Sequence, residues 1–168
     1  MKTYYKIVSS DGLFAEQYNI VDVNDIPNGS RFKASEFSKG AISRGGTVFT
    51  MFLEKPVINF CDNAFDTMLW YPGFSNVSYE AALAGTTRQC CIYEIVPITR
   101  VFKDRSKSLH ELRRCGADII EFGNLVPVAQ VAKLAMNEYK RRKLMKHIMY
   151  GSEFVRESVE KWKKRYSL

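Results

Sequence analysis

The period of apolar and polar positions changes several times along the chain, and each change marks an element. Tyr4 to Ser9 is an extended apolar run and predicts a strand. Ser10-Asp11-Gly12 reads as a turn into Leu13 to Ile20, which together predict an N-terminal hairpin. Val21 to Arg31 carries Asp22, Asn24, Asp25 and Pro27-Asn28-Gly29, the residues of a loop. Ser35 to Ser38 suits a helical turn, and Gly45-Gly46 punctuates before a second extended run, Thr47 to Leu53. Glu54-Lys55-Pro56 interrupts that run, because proline has no N–H for a ladder, and Val57 to Phe60 resumes it. Asp62 or Asn63 is then placed to cap a helix whose apolar face is Phe65, Met68 and Leu69, closed by Pro72-Gly73.

After a connector from Ser75 to Arg88, with room for a helical turn at Tyr79 to Leu83, Cys90 to Val96 gives the clearest strand. Cys91, Tyr93 and Ile95 share one face, and Ile92, Glu94 and Val96 the other, which is mostly apolar on both sides as a central strand requires. Glu94 is the exception and reads as a rim, paired or functional acid. Pro97 ends the ladder, and Ile98 to Phe102 continues as another edge. Ser108-Leu109-His110-Glu111 has the form of a capping box, predicting a short helix from Leu109 to Cys115 with Gly116 as its left-handed stop. Ala117 to Phe122 predicts one more strand. From Pro127 the period becomes helical. Val128, Val131, Ala132, Ala135 and Tyr139 form one stripe, and Val155, Val159, Trp162 and Tyr166 form a second beyond Gly151-Ser152.

These elements predict an α+β fold: a mixed, mainly antiparallel sheet of about five or six strands, short helices, and a C-terminal basic helical hairpin. Residues 1–126 make the core, and 127–168 the hairpin, within the same domain or appended to it. The 168 residues, 46% hydrophobic and 13% aromatic, suffice for one folded domain with a proper core. No apolar run approaches the length of a membrane span and the N-terminus has no apolar signal region, so the expectation is a cytoplasmic protein without a membrane partner.

Charge sharpens the picture. The net charge is +7, yet residues 1–132 hold 14 Lys/Arg against 14 Asp/Glu. Residues 133–168 hold 11 against 4, so the whole excess lies in the C-terminal helices. Lys140, Arg141, Arg142, Lys143 and Lys146, with Lys161, Lys163, Lys164 and Arg165, are the candidate binding residues for nucleic acid or an acidic host protein. A solvated helix face is the plainer alternative. Cys61, Cys90, Cys91 and Cys115 form no Cys-x-x-Cys pair, and His110 and His147 are the remaining candidates for zinc, so neither metal nor cofactor is expected. Gly45-Gly46 lacks the further glycines and the Lys-Ser/Thr of a phosphate loop.

Cys61-Asp62-Asn63, Asp66, Leu69 and Trp70-Tyr71 before Pro72 resemble a segment of an uncharacterised family of short phage and prophage proteins. Ala117 to Glu121, running into a helix, is similar in order and kind, so the resemblance covers roughly Val57 to Tyr139. It implies a phage-type origin and no particular mechanism. The strand order is loosely similar to small ADP-ribosyltransferase-like domains, which would place Lys6 in the early cofactor-holding position, Thr50, Tyr71 or Tyr93 in the middle one, and Glu121 in the late acidic one. Lys6 there lacks the planar fork of arginine. Three classes therefore stay open: a phage-type accessory protein acting by binding, a transferase-like enzyme, and a structural or assembly protein of a virus. Oligomeric state is not legible.

Overall fold

The computed structural model describes residues 2–10, 13–36, 47–50, 55–70, 90–104, 114–143 and 153–168. The first strand, β1 (Tyr4–Ser9), leads into a short helix, α1 (Leu13–Gln17), rather than the return strand of a hairpin. The rings of Phe14 and Tyr18, one helical turn apart, lie 4.8 Å from each other, and both lie against Phe32; in a strand the two residues would share a face but stand about 13 Å apart. The short strand β2 (Arg31–Lys33) runs into a 3-10 turn at Ala34–Glu36. Next come β3 (Thr47–Thr50) and β4 (Lys55–Phe60), antiparallel to each other, and then α2 (Ala64–Trp70). The long strand β5 (Cys90–Pro97) precedes β6 (Phe102–Asp104), β7 (Arg114–Ala117) and β8 (Ile119–Val126). Two longer helices, α3 (Val128–Lys143) and α4 (Glu153–Tyr166), complete the chain.

The fold is α+β, but its strands form two four-stranded sheets rather than one. Sheet one has the order β1-β5-β8-β2 and sheet two the order β3-β4-β7-β6, with every described pair antiparallel. The sheets touch where Tyr5 and Cys61 exchange backbone hydrogen bonds of 2.9 and 3.0 Å. One face of sheet one, carrying Ile7, Ile92 and Val126, is covered by Phe65 and Met68 of α2, Val131, Ala132, Ala135, Met136 and Tyr139 of α3, and Val159 and Trp162 of α4. The other face, carrying Val8, Tyr93, Ile95, Ile120 and Phe122, packs on Phe14 of α1 and on Ile58, Phe60, Cys115 and Ala117 of sheet two. Each Val, Ile, Phe or Met side chain among these contributes roughly 1.5–3 kcal/mol when fully buried.

The expected helix from Leu109 to Cys115 is corrected over its described end. Arg114–Ala117 is a strand pairing with both β4 and β6, and Gly116 sits inside it. Ser108, His110 and Glu111 lie outside the described residues. Gly116 meets close packing rather than a helix end: a Cβ there would lie 2.5 Å from Val57 Cγ2. The strand expected from Ala117 to Phe122 is interrupted at Asp118, whose carboxylate accepts from the Ser35 N–H at 3.0 Å, and β8 then runs on to Val126. Gly29, in the expected turn, does adopt the left-handed region at φ 91° and donates its N–H to the Phe122 carbonyl at 2.7 Å.

The described members of the two C-terminal stripes, Val131, Ala132, Ala135 and Tyr139 on α3 and Val159 and Trp162 on α4, face inward. Tyr139 and Trp162 both contact the Phe65 ring, at centroid distances of 5.7 and 6.2 Å, so α3 and α4 pack on the core rather than project from it. The chain joining them, 144–152, lies outside the described residues.

Candidate functional site

Burial of the stripes decides where the charges point. On α3, Lys133, Lys140 and Arg141 are exposed, and Arg141 donates to the Glu138 carboxylate at 2.6 and 3.0 Å. On α4, Lys161 and Lys164 are exposed, while Lys163 reaches Glu160 at 3.4 Å. Among the described residues no ion pair joins Lys133, Lys140, Lys161 or Lys164 to a carboxylate. Arg142, Lys143 and Arg165 lie on the same helices, and Lys146 falls outside the described residues. Lys133 is an addition to the residues picked out from the charge runs. It stands alone in sequence, but it precedes Lys140 by seven positions and so shares its helical face, which periodicity would have found.

Lys6 and Glu121, two residues of the transferase-like constellation, are not brought together. Lys6 points into the core between the sheets, with its Nζ 4.7 Å from the centre of the Phe14 ring. Glu121 neighbours the buried Ile120 and Phe122, so it points to the opposite face of sheet one, where Arg31 binds it at 3.0 Å. Tyr93, offered as the middle residue, is committed elsewhere: its hydroxyl donates to the Val23 carbonyl at 2.6 Å and accepts from the Ile26 N–H at 3.3 Å. Tyr71 lies outside the described residues.

The stretch from Cys61 to Thr67 builds a polar junction instead. Asn63 caps α2, its Oδ1 accepting from the Asp66 N–H at 2.8 Å, while its Nδ2 donates to Asp62 at 3.0 Å and to Asp66 at 2.6 Å. The Thr67 hydroxyl returns a bond to the Asn63 carbonyl at 2.6 Å. Asp62 lies 2.8 Å from Lys2 and 4.0 Å from Lys103. Burial pushes its carboxyl up, but the bonds from Lys2 and Asn63 and the charges of Lys2 and Lys103 outweigh that and hold it below its ordinary value. Burial drives the Cys61 thiol well up, with the Asp66 charge adding to the effect, and raises Cys115 to about 11. Neither thiol has the thiolate character of a reactive cysteine.

Lys6 is an ionisable side chain buried in the core. It is 4% exposed, and its amine donates to the backbone carbonyl of Asn59 at 2.7 Å and to Asn59 Oδ1 at 3.1 Å. Burial lowers it to about 7, with the Cys61 thiol acting weakly in the other direction. The Phe14 ring also favours the cation.

Among the described residues no cluster of His, Cys, Asp or Glu is arranged to hold a metal ion, and no helix is long and apolar enough to cross a membrane. Compared with protein-family models, curated proteins and solved structures, the chain finds no match.

Proposed function

We propose that this is a phage-type accessory protein that acts by binding, in the cytoplasm of a host cell, and that its two C-terminal helices form a basic hairpin contacting the phosphates of nucleic acid. The observation that carries this reading is the split of α3 and α4 into a buried apolar stripe and an outward face bearing Lys133, Lys140, Lys161 and Lys164. Those lysines are not needed by the core, and cations at such positions neutralise phosphates at non-specific strength. If all four are engaged, the salt dependence of counterion release predicts a loss of roughly a hundredfold in affinity between about 50 and about 200 mM salt.

The test is fluorescence anisotropy with a generic duplex and a single-stranded oligonucleotide across that salt range. Wild type is compared with a variant carrying Lys133→Gln, Lys140→Gln, Lys161→Gln and Lys164→Gln. Salt-sensitive binding that the variant loses is the expected result. A folded wild type that binds neither oligonucleotide removes nucleic acid. Salt-dependent binding to an acidic peptide would then reassign the same face to an acidic host protein.

A further inference from the structure

A buried lysine is ordinarily matched by a carboxylate, because an unpaired ammonium loses its hydration with nothing in return. Lys6 is not matched in this way: its partners are two neutral oxygens of one residue, Asn59, and the face of Phe14. Its position matters as much as its burial. Lys6 belongs to β1 of sheet one and Asn59 to β4 of sheet two, and Tyr5, one residue before Lys6, and Cys61, two residues after Asn59, flank this contact with the backbone bridge that joins the sheets. Two backbone hydrogen bonds and the two bonds of one amine thus cross the seam between β1 and β4, beside the edge-to-face contact of Tyr4 with Phe60. An uncharged amine has two N–H groups, which those two oxygens use up. An ammonium brings a third N–H and a full charge into an apolar cluster.

We propose that Lys6 is a proton-sensitive latch on the seam between the two sheets, closing it when uncharged and loosening it when protonated. The titratable groups packed around it do not supply a countercharge near neutral pH. Cys61 and Cys115, from the sheet-two side, and Tyr93, from β5, are all raised by burial and stay neutral. On α1, Glu16 is exposed, and Asp66 of α2 is bonded to Asn63 beyond Cys61. The amine is held near 7 in the closed seam and returns to its ordinary 10.5 where the seam opens to water. Opening therefore takes up a proton, and it becomes easier as pH falls. Between about pH 8 and about pH 6 this linkage makes opening roughly tenfold more favourable.

The experiment is amide hydrogen exchange by NMR at these two pH values, with rates converted to protection factors. Tyr5 and Cys61 report the seam, and the amides of β5 and β8 report whole-molecule unfolding. Wild type should lose about tenfold in protection at Tyr5 and Cys61 on going to the lower pH, through openings smaller than global unfolding, and Lys6→Met should not. Equal protection at both pH values, the same loss in Lys6→Met, or exchange of the seam only together with β5 and β8 would each overturn the latch. A direct titration of the Lys6 amine in the wild-type protein covers the case in which Lys6→Met does not fold: a midpoint near 10.5 overturns the proposal.

Discussion

Gly116→Ala sets two effects of opposite sign against each other. Gly116 does not adopt the left-handed region, so alanine is compatible with its backbone. By restricting the unfolded chain alone, the substitution would stabilise the protein by about 0.4–1 kcal/mol. The packing points the other way. The new Cβ would stand 2.5 Å from Val57 Cγ2 and 3.0 Å from Val57 Cβ, and 3.5 Å from the Ile58 carbonyl oxygen. Val57 is buried on a strand paired with the one that holds Gly116, and its Cβ moves only with the backbone of β4. Overpacking of this kind costs about 1–3 kcal/mol, so a net destabilisation of roughly 1–2 kcal/mol is expected. Urea unfolding followed by circular dichroism measures it as a lowered midpoint with an unchanged slope. The double-mutant cycle with Val57→Ala isolates the clash. Removing Cγ2 relieves the closest contact but leaves the Cβ at 3.0 Å, so partial rescue is expected, with a coupling of about 1 kcal/mol. A neutral or stabilising Gly116→Ala, or strict additivity with Val57→Ala, would refute the close approach of β7 to β4.

Further expectations follow from individual contacts. Asn63→Ala removes the cap of α2 and should cost about 1–2 kcal/mol in thermal unfolding. Aspartate is usually an equally good cap, but here Asn63→Asp would place a third carboxylate against Asp62 and Asp66, to both of which the Asn63 amide donates. It should therefore be less stable than Asn63→Ser near neutral pH, with the gap closing as the carboxylates protonate. Tyr93→Phe leaves the Val23 carbonyl without its buried donor and should cost about 1–3 kcal/mol, accompanied by faster exchange of the Ile26 amide, which now donates to that hydroxyl. Trp162→Ala empties the contact between α4 and Phe65 and should cost about 3–5 kcal/mol, read by chemical denaturation. A much smaller loss would mean that α4 is not seated on the core.

Local pattern was enough to locate several parts of this protein. Alternation along Cys90–Pro97 placed Cys91, Tyr93 and Ile95 on one face, because a strand turns each side chain through half a circle whatever it packs against. A cap at Asp62 or Asn63, which the structure places at Asn63, and the stripes of α3 and α4 were legible for the same reason: they follow from bonds and periods spanning only a few residues. With those stripes buried, the charge excess had to lie on the outward faces. Where the local pattern was short or ambiguous, tertiary contacts decided. Leu13–Gln17 is apolar enough for either period, and the aromatic cluster of Phe14, Tyr18, Phe32 and Phe122 selects the helix. Arg114–Ala117 becomes a strand because β4 and β6 flank it on both sides, and Gly116 then serves close packing rather than a helix end.

The division into two sheets belongs wholly to the tertiary structure. Pairings such as Tyr5 with Cys61 and Lys6 with Asn59 join residues more than fifty positions apart, and no local pattern encodes them. That is also why the sequence placed Lys6 on an N-terminal strand, as the early residue of the transferase-like alternative, without revealing its burial. Only the meeting of the two sheets takes it out of water and gives it Asn59 as a partner.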